Sequence, residues 1–272
     1  MLKDWPVLCL HGYSTLQDSN MSNFKRFIFT IACVTAGSFC SAATIQVVFD
    51  NPIFMGSGSD NVNITFTNPN AAGTLTEYVA AGRFQGTGSN LQGVQAGIFV
   101  DGLNDLFMYC YDIYQSINHG QTLEYTVNFD GELARTRSFL GAVNAVMNGN
   151  MLSGDAGYDP YAWLHPKTGY QGAAIQLGIW ESKYETSSDW DLGTGSFAAS
   201  ALEAETTAWW NSFKGRIGSS QALDDFAVIT LDNPNYQDMI TADPPINVPE
   251  PGTLALVAAA LAGLAGARRK KA

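Results

Sequence analysis

Residues 253–267, TLALVAAALAGLAGA, form an apolar run without a charge, and four cations, Arg268, Arg269, Lys270 and Lys271, follow it directly. At about 1.5 Å per residue, such a run is short for a hydrocarbon core of about 30 Å, but it has no polar face with which to pack in water. It therefore reads as a brief transmembrane segment whose basic end stays in the cytoplasm. Any water-soluble fold must be built upstream of it.

The other end narrows the foldable chain further. From Met21 the sequence reads MSNFKRFIFTIACVTAGSFCSAA, with Lys25 and Arg26 ahead of an apolar stretch and Ser41-Ala42-Ala43 behind it. That is the layout of a secretory signal peptide over residues 21–43, and it predicts export through the Sec pathway. Residues 1–20 fit no signal and read as preceding the true start, from an upstream start codon.

Val248, Pro249, Glu250 and Pro251 stand immediately before the apolar tail. A Val-Pro-Glu-Pro turn, a short span and a basic cluster together resemble the PEP-CTERM sorting signal, here over residues 248–272. The resemblance implies processing by an exosortase and only transient residence in the inner membrane. It also implies a final place at the cell surface or outside it, typically linked to surface or extracellular polysaccharide.

Of the chain's 14 basic residues, residues 44–247 keep seven, and of its 25 acidic residues they keep 22, a net charge of −15. Such a surface repels nucleic acid and anionic lipid. The same processing leaves one cysteine. Cys9 precedes the expected start and Cys33 and Cys40 leave with the signal peptide, so Cys110 remains alone in an oxidising compartment. An unpaired cysteine there points to intermolecular pairing, to special thiol chemistry, or to a small buried hydrophobe.

The pattern between the ends predicts an α+β domain over residues 44–235. It is mainly antiparallel β, sandwich- or barrel-like, with a helical insertion. TIQVVFD, NVNITFT, LTEYVAAGRFQG, GVQAGIFVDGL, LFMYCYDI and QTLEYTVNF are strand-like and separated by turn residues. ELARTRSFLGAVNAVMNGN, GAAIQLGIWESKYE and SFAASALEAETTAWWNSFKG carry helical spacing, the last with Ser196 and Ser200 as candidate caps and Gly215 as its stop. DDFAVITLD reads as a final strand, and residues 236–247, rich in Asp and Pro, as a linker.

Two short motifs bear on Cys110. MYCYD places Tyr109 before the cysteine, and AAIQLGIWE places Gln176 four residues before Trp180. Together they resemble the Cys-Gln thioester domains of bacterial surface adhesins, in which a Tyr/Phe-Cys strand precedes an apolar-Gln-x-x-apolar-Trp segment. The resemblance implies that Cys110 supplies the sulfur and Gln176 the acyl group of an internal thioester, with Tyr109 and Trp180 as packing support. Ile175 stands where that family usually has Thr, and Gly178 follows Leu177. The thioester would react once with an amine or hydroxyl, without turnover. The chain is thus expected to be no enzyme and to need no cofactor.

Other candidates carry less. His119 and His165 lack zinc-ligand spacing, and Asp101, Asp105 and Asp112 follow no EF-hand order. Glu181 and Glu185 are a carboxylate pair at helical spacing, which alone is poor grounds for a glycosidase. Of the adjacent Trp209 and Trp210, which diverge by about 100° on a helix, one is expected in the core. Two functions follow: a sorted surface protein that bonds covalently through Cys110 and Gln176, or a non-reactive structural or carbohydrate-binding component of the extracellular matrix.

Overall fold

The computed structural model describes residues 42–244 apart from 69, 70, 150, 152, 225 and 226. The upstream segment, almost all of the expected signal peptide, the apolar tail and the sorting residues lie outside the described residues. Among the described residues, no helix is long and apolar enough to cross a membrane.

Six strands close into an antiparallel barrel: β1 (Thr44–Phe49), β4 (Phe84–Gln92), β5 (Leu106–Cys110), β9 (Met239–Ala242), β8 (Val228–Asp232) and β6 (Thr122–Asn128), in that order around the wall. β1 shows why. Ile45, Val47 and Phe49 are buried and alternate with more exposed neighbours, as do Leu123, Tyr125 and Val127 in β6. A period of two gives each strand one inward face, and a barrel this small is filled by side chains. Phe49 and Tyr125 meet edge to face there, centroids 6.3 Å apart. In β4, a Cβ on Gly88 would lie 2.8 Å from Ile45 Cδ1, so glycine is what lets Ile45 pack at that point.

β2 (Ser59–Thr67), β3 (Thr74–Gly82) and β7 (Phe197–Ser200) form a second sheet in the order β3-β2-β7. The chain passes from this sheet into the barrel at one residue, Arg83, between β3 and β4. The run LTEYVAAGRFQG, expected as one strand, is therefore two strands in different sheets. Arg83 makes the transition tolerable: its guanidinium donates to the carbonyls of Leu164 and Met55 and lies 3.6 Å over the Phe107 ring.

The helices are α1 (Ala134–Met147), α2 (Gly169–Tyr184) and α3 (Ala204–Lys214). α2 packs against the three-stranded sheet as well as against α1 and α3, and every residue from Gln171 to Ser182 is buried. Thr168 caps it, its side chain accepting from the Gln171 N–H at 3.2 Å.

Three local expectations change. GVQAGIFVDGL holds a 3₁₀ turn (Ala96–Ile98) in place of a strand. In SFAASALE, Phe197–Ser200 pairs with β2, and α3 begins later, without a side-chain cap. The expected linker 236–247 contains β9, so the domain runs past 235 to at least Ala242. The mainly antiparallel β architecture with inserted helices stands.

Candidate functional site

Cys110 is the last residue of β5. Alternate backbone groups of a strand face opposite neighbours. On one side Tyr111 N–H donates to Asp238 O (2.7 Å) and Thr241 Oγ1 donates to Phe107 O (2.7 Å), so Phe107, Tyr109 and Tyr111 face β9. Leu106, Met108 and Cys110 face the β4 side. There Phe84 stands opposite Met108, and beyond it the chain turns at Arg83 into the other sheet. Among the described residues, no strand pairs with Cys110 on that side.

Gln176 fills that gap. Cys110 N–H donates to Gln176 Oε1 at 2.8 Å, and Gln176 Nε2 donates to Cys110 O at 2.8 Å. One side-chain amide thus stands in for the missing rung of the ladder. Cys110 is 2% exposed and Gln176 0%. Leaving their polar groups unpaired would cost roughly 1–3 kcal/mol each, so the pairing is strongly enforced.

Neighbouring residues fix the strand end. Tyr109 is buried, stacks on Trp163 with centroids 5.9 Å apart, and donates its hydroxyl to Trp163 O at 3.0 Å. Asp112 Oδ1 accepts from the Tyr114 N–H (2.6 Å), and the Asp112 carbonyl accepts from Gln237 Nε2 (2.8 Å). Trp180, one turn beyond Gln176 on α2, is buried with its ring 6.3 Å from that of Phe197. The four residues expected from the two motifs fall into one region. Cys110 and Gln176 touch directly, while Tyr109 and Trp180 brace the strand end and the helix.

The electrostatics are those of a dry site. Burial first, and the charge of Asp112 second, push the Cys110 thiol well above its ordinary value, so it is a neutral S–H near neutral pH. Chemically, the Cys110 N–H on Oε1 polarises the Gln176 carbonyl and would equally hold an oxyanion there, while the amide nitrogen already rests on an acceptor. Cys110 is a free cysteine in this structure.

Other sequence candidates resolve into separate contacts. His165 sits between two carboxylates, with Nδ1 2.5 Å from Asp159 Oδ2 and Nε2 3.1 Å from Asp101 Oδ1. Hydrogen bonding to Asp101 raises His165 to about 9 against the opposing effect of burial, with Asp159 adding to the rise. This clamp is not legible in the sequence, because 64 residues separate Asp101 from His165. Asp105 accepts from Gln85 Nε2, and Asp112 is buried at its turn rather than solvated. Among the described residues, no group of three or more His, Cys, Asp or Glu side chains is arranged to hold a metal ion.

Glu181 is buried and raised to about 7, mainly by burial, with Oε1 accepting from the Asp191 N–H at 3.0 Å. Glu185 accepts from the N–H groups of Ser187, Ser196 and Phe197. The pair holds the loop after α2 in place. Trp210 is in the core, and Trp209 is partly buried with its ring stacked on Phe213.

Two hollows among the described residues bear on the geometry. One of about 820 Å³ lies beside α1 and the segment after α3, lined in part by Tyr158, Arg216 and Asp224, and includes none of the four motif residues. The other, of about 270 Å³, is lined by both Cys110 and Trp180.

Residues 247–270 match a family model described as the PEP-CTERM protein-sorting motif. No curated protein and no solved structure matches the chain. The sorting motif marks the chain as an exosortase-sorted, secreted protein with a C-terminal membrane-anchoring signal, ending at the cell surface.

Proposed function

We propose that this exosortase-sorted protein bonds covalently to a partner at the cell surface or in the surrounding matrix through an internal thioester between Cys110 and Gln176. The observation that carries the reading is the two-point contact between the Gln176 amide and the Cys110 backbone. Closure balances simply. The sulfur bonds to the Gln176 side-chain carbonyl carbon, the C–N bond breaks, and the thiol proton leaves with the nitrogen as ammonia. Opening by an amine or hydroxyl gives an amide or ester at position 176 and restores the thiol. Burial of the pair excludes water until a nucleophile arrives. The partner class is a surface amine or a hydroxyl of surface or matrix polysaccharide.

The test is the intact mass of the mature protein, isolated without amines and then treated with methylamine. A mass one ammonia below the sequence value, replaced by a methylamide at Gln176, is the expected result. An unaltered mass with one titratable thiol overturns it.

One observation favours a second reading. The same two hydrogen bonds account for a buried glutamine opposite a strand end left open on its β4 side, with no chemistry required. The protein is then a non-reactive structural or carbohydrate-binding component of the extracellular matrix, and its attachment survives Cys110→Ala.

A further inference from the structure

The barrel is closed, so the edge strands are those of the three-stranded sheet, β7 and β3. β7 is four residues long, and its outward N–H groups are taken: Ala199 donates to Leu192 O at 2.7 Å and Phe197 to Glu185 Oε2 at 3.2 Å. β3 is nine residues long and pairs with β2 without a break in register. Just past the strand ends, Asn68 N–H donates to Gly73 O at 3.0 Å, and bonded pairs alternate along an antiparallel ladder. Leu75, Glu77 and Val79 therefore bond to β2, while the N–H and C=O groups of Thr74, Thr76 and Tyr78 point to the open side. Among the described residues, those groups have no partner there. Residues 74–78 are exposed on both faces, with Tyr78 at 70% and Leu75 at 37%.

A long edge strand with open backbone groups is a template for another strand, and proteins blunt such edges with Lys, Pro, a bulge or a cover. β3, TLTEYVAAG, has no Lys, no Pro and no bulge, and residues 74–78 are uncovered. We propose that β3 pairs antiparallel with β3 of a second copy of this chain, joining two three-stranded sheets into one across a two-fold axis at Thr76. That axis uses the whole exposed run. Thr76 faces its own copy and Thr74 faces Tyr78, each pair exchanging both of its hydrogen bonds. It also sets Glu77, the one charge of β3, opposite Leu75, whereas an axis at Glu77 would oppose two carboxylates. The exposed side chains of Tyr78 and Leu75 both gain cross-strand neighbours. Because the contact is two-fold and the N–H groups of β7 are taken, the assembly closes as a dimer. The net charge of −15 over residues 44–247 acts against it from outside the strand, and salt screens that repulsion over about 8 Å. The dimer does not depend on the thioester.

The test is sedimentation equilibrium of the mature protein at concentrations up to about 1 mM, in low and high salt. A reversible dimer is expected, tighter in high salt. Thr76→Pro removes the outward N–H at the axis and leaves the ladder to β2 whole. It is expected to weaken the dimer about tenfold or more while the unfolding midpoint stays near the native value. Thr76→Lys, on the exposed face, sets two ammonium groups opposite each other and gives the same loss should Thr76→Pro fail to fold. The register is read from introduced cysteines. Thr76→Cys is expected to form an intermolecular disulfide with oxidised glutathione, because bonded partners have Cα atoms about 5.5 Å apart, and Glu77→Cys is not. Cys110, 2% exposed, does not compete. A protein that stays monomeric at every concentration overturns the second copy as the occupant of this edge. A dimer that both Thr76 substitutions leave intact overturns β3 as its interface, and a faster disulfide from Glu77→Cys overturns the axis at Thr76.

Discussion

Cys110 and Gln176 contribute to this protein in two separable ways, because the glutamine contacts the backbone of Cys110 and not only the neighbourhood of its sulfur. Gln176→Ala leaves a buried N–H and a buried C=O without partners, and is expected to cost about 3 kcal/mol. Cys110→Ala removes only a small buried side chain and is expected to cost about 1 kcal/mol. Denaturant unfolding of the two variants measures this order, and equal losses would mean that the backbone clamp contributes little. His165 sets a pH dependence at the same scale. Its value in the folded protein, about 9, lies above the ordinary 6.5. The stabilisation is therefore complete below about pH 6.5, declines as pH rises, and is gone above about 9. With its side chain 33% exposed, solvent screening reduces the effect to about 1–2 kcal/mol. Unfolding midpoints from pH 6 to 9.5 are expected to fall in the native protein more than in His165→Gln, whose missing charge removes this share of the slope.

At the scale of elements, α2 is the piece whose sequence said least about its surroundings. A helix with one wet face shows its orientation through the spacing of apolar residues, but Gln171–Ser182 is buried on all sides and so has no polar face to read. The motif order and the Gln176–Trp180 spacing were legible; that the helix lies between a sheet and two other helices was not. Gly178 is the clearest example. In the sequence it is a departure from the thioester pattern, while in the structure a Cβ there would lie 1.9 Å from Cζ of Phe139, whose ring packs directly on α2. Gly178→Ala gains about 1 kcal/mol of helix propensity but forces that ring to move, at a cost of about 1–3 kcal/mol or more. Net destabilisation is expected, with partial rescue by Phe139→Leu; thermal unfolding of the single and double variants checks both. A stabilised Gly178→Ala would show that α1 and α2 separate easily.

At the scale of the whole molecule, the barrel depends on its shortest strand. Antiparallel β with inserted helices followed from the alternation in β1, β2 and β6, but closure did not. Met239–Ala242 is four residues long and sits among Asp, Asn and Pro, so local composition reads as linker while long-range pairing makes it β9. Its partners, β5 and β8, lie far from each other in sequence, and β9 pairs with both. Met239, Ile240 and Ala242 are all 0% exposed. A chain ending at 235 therefore leaves two unpaired edges and an opened core, whereas one ending at 244 keeps every barrel strand. The longer chain is expected to unfold cooperatively, and the shorter to show no cooperative transition by circular dichroism. The same truncation reaches the candidate site, because β9 pairs with Tyr109 and Cys110 on the side opposite the Gln176 amide. Without it, the end of β5 has no partner strand, and the contact on which the thioester reading rests is lost with the fold. A cooperative melt from the chain ending at 235 would instead mean that five strands and α2 are enough to hold Cys110 in place.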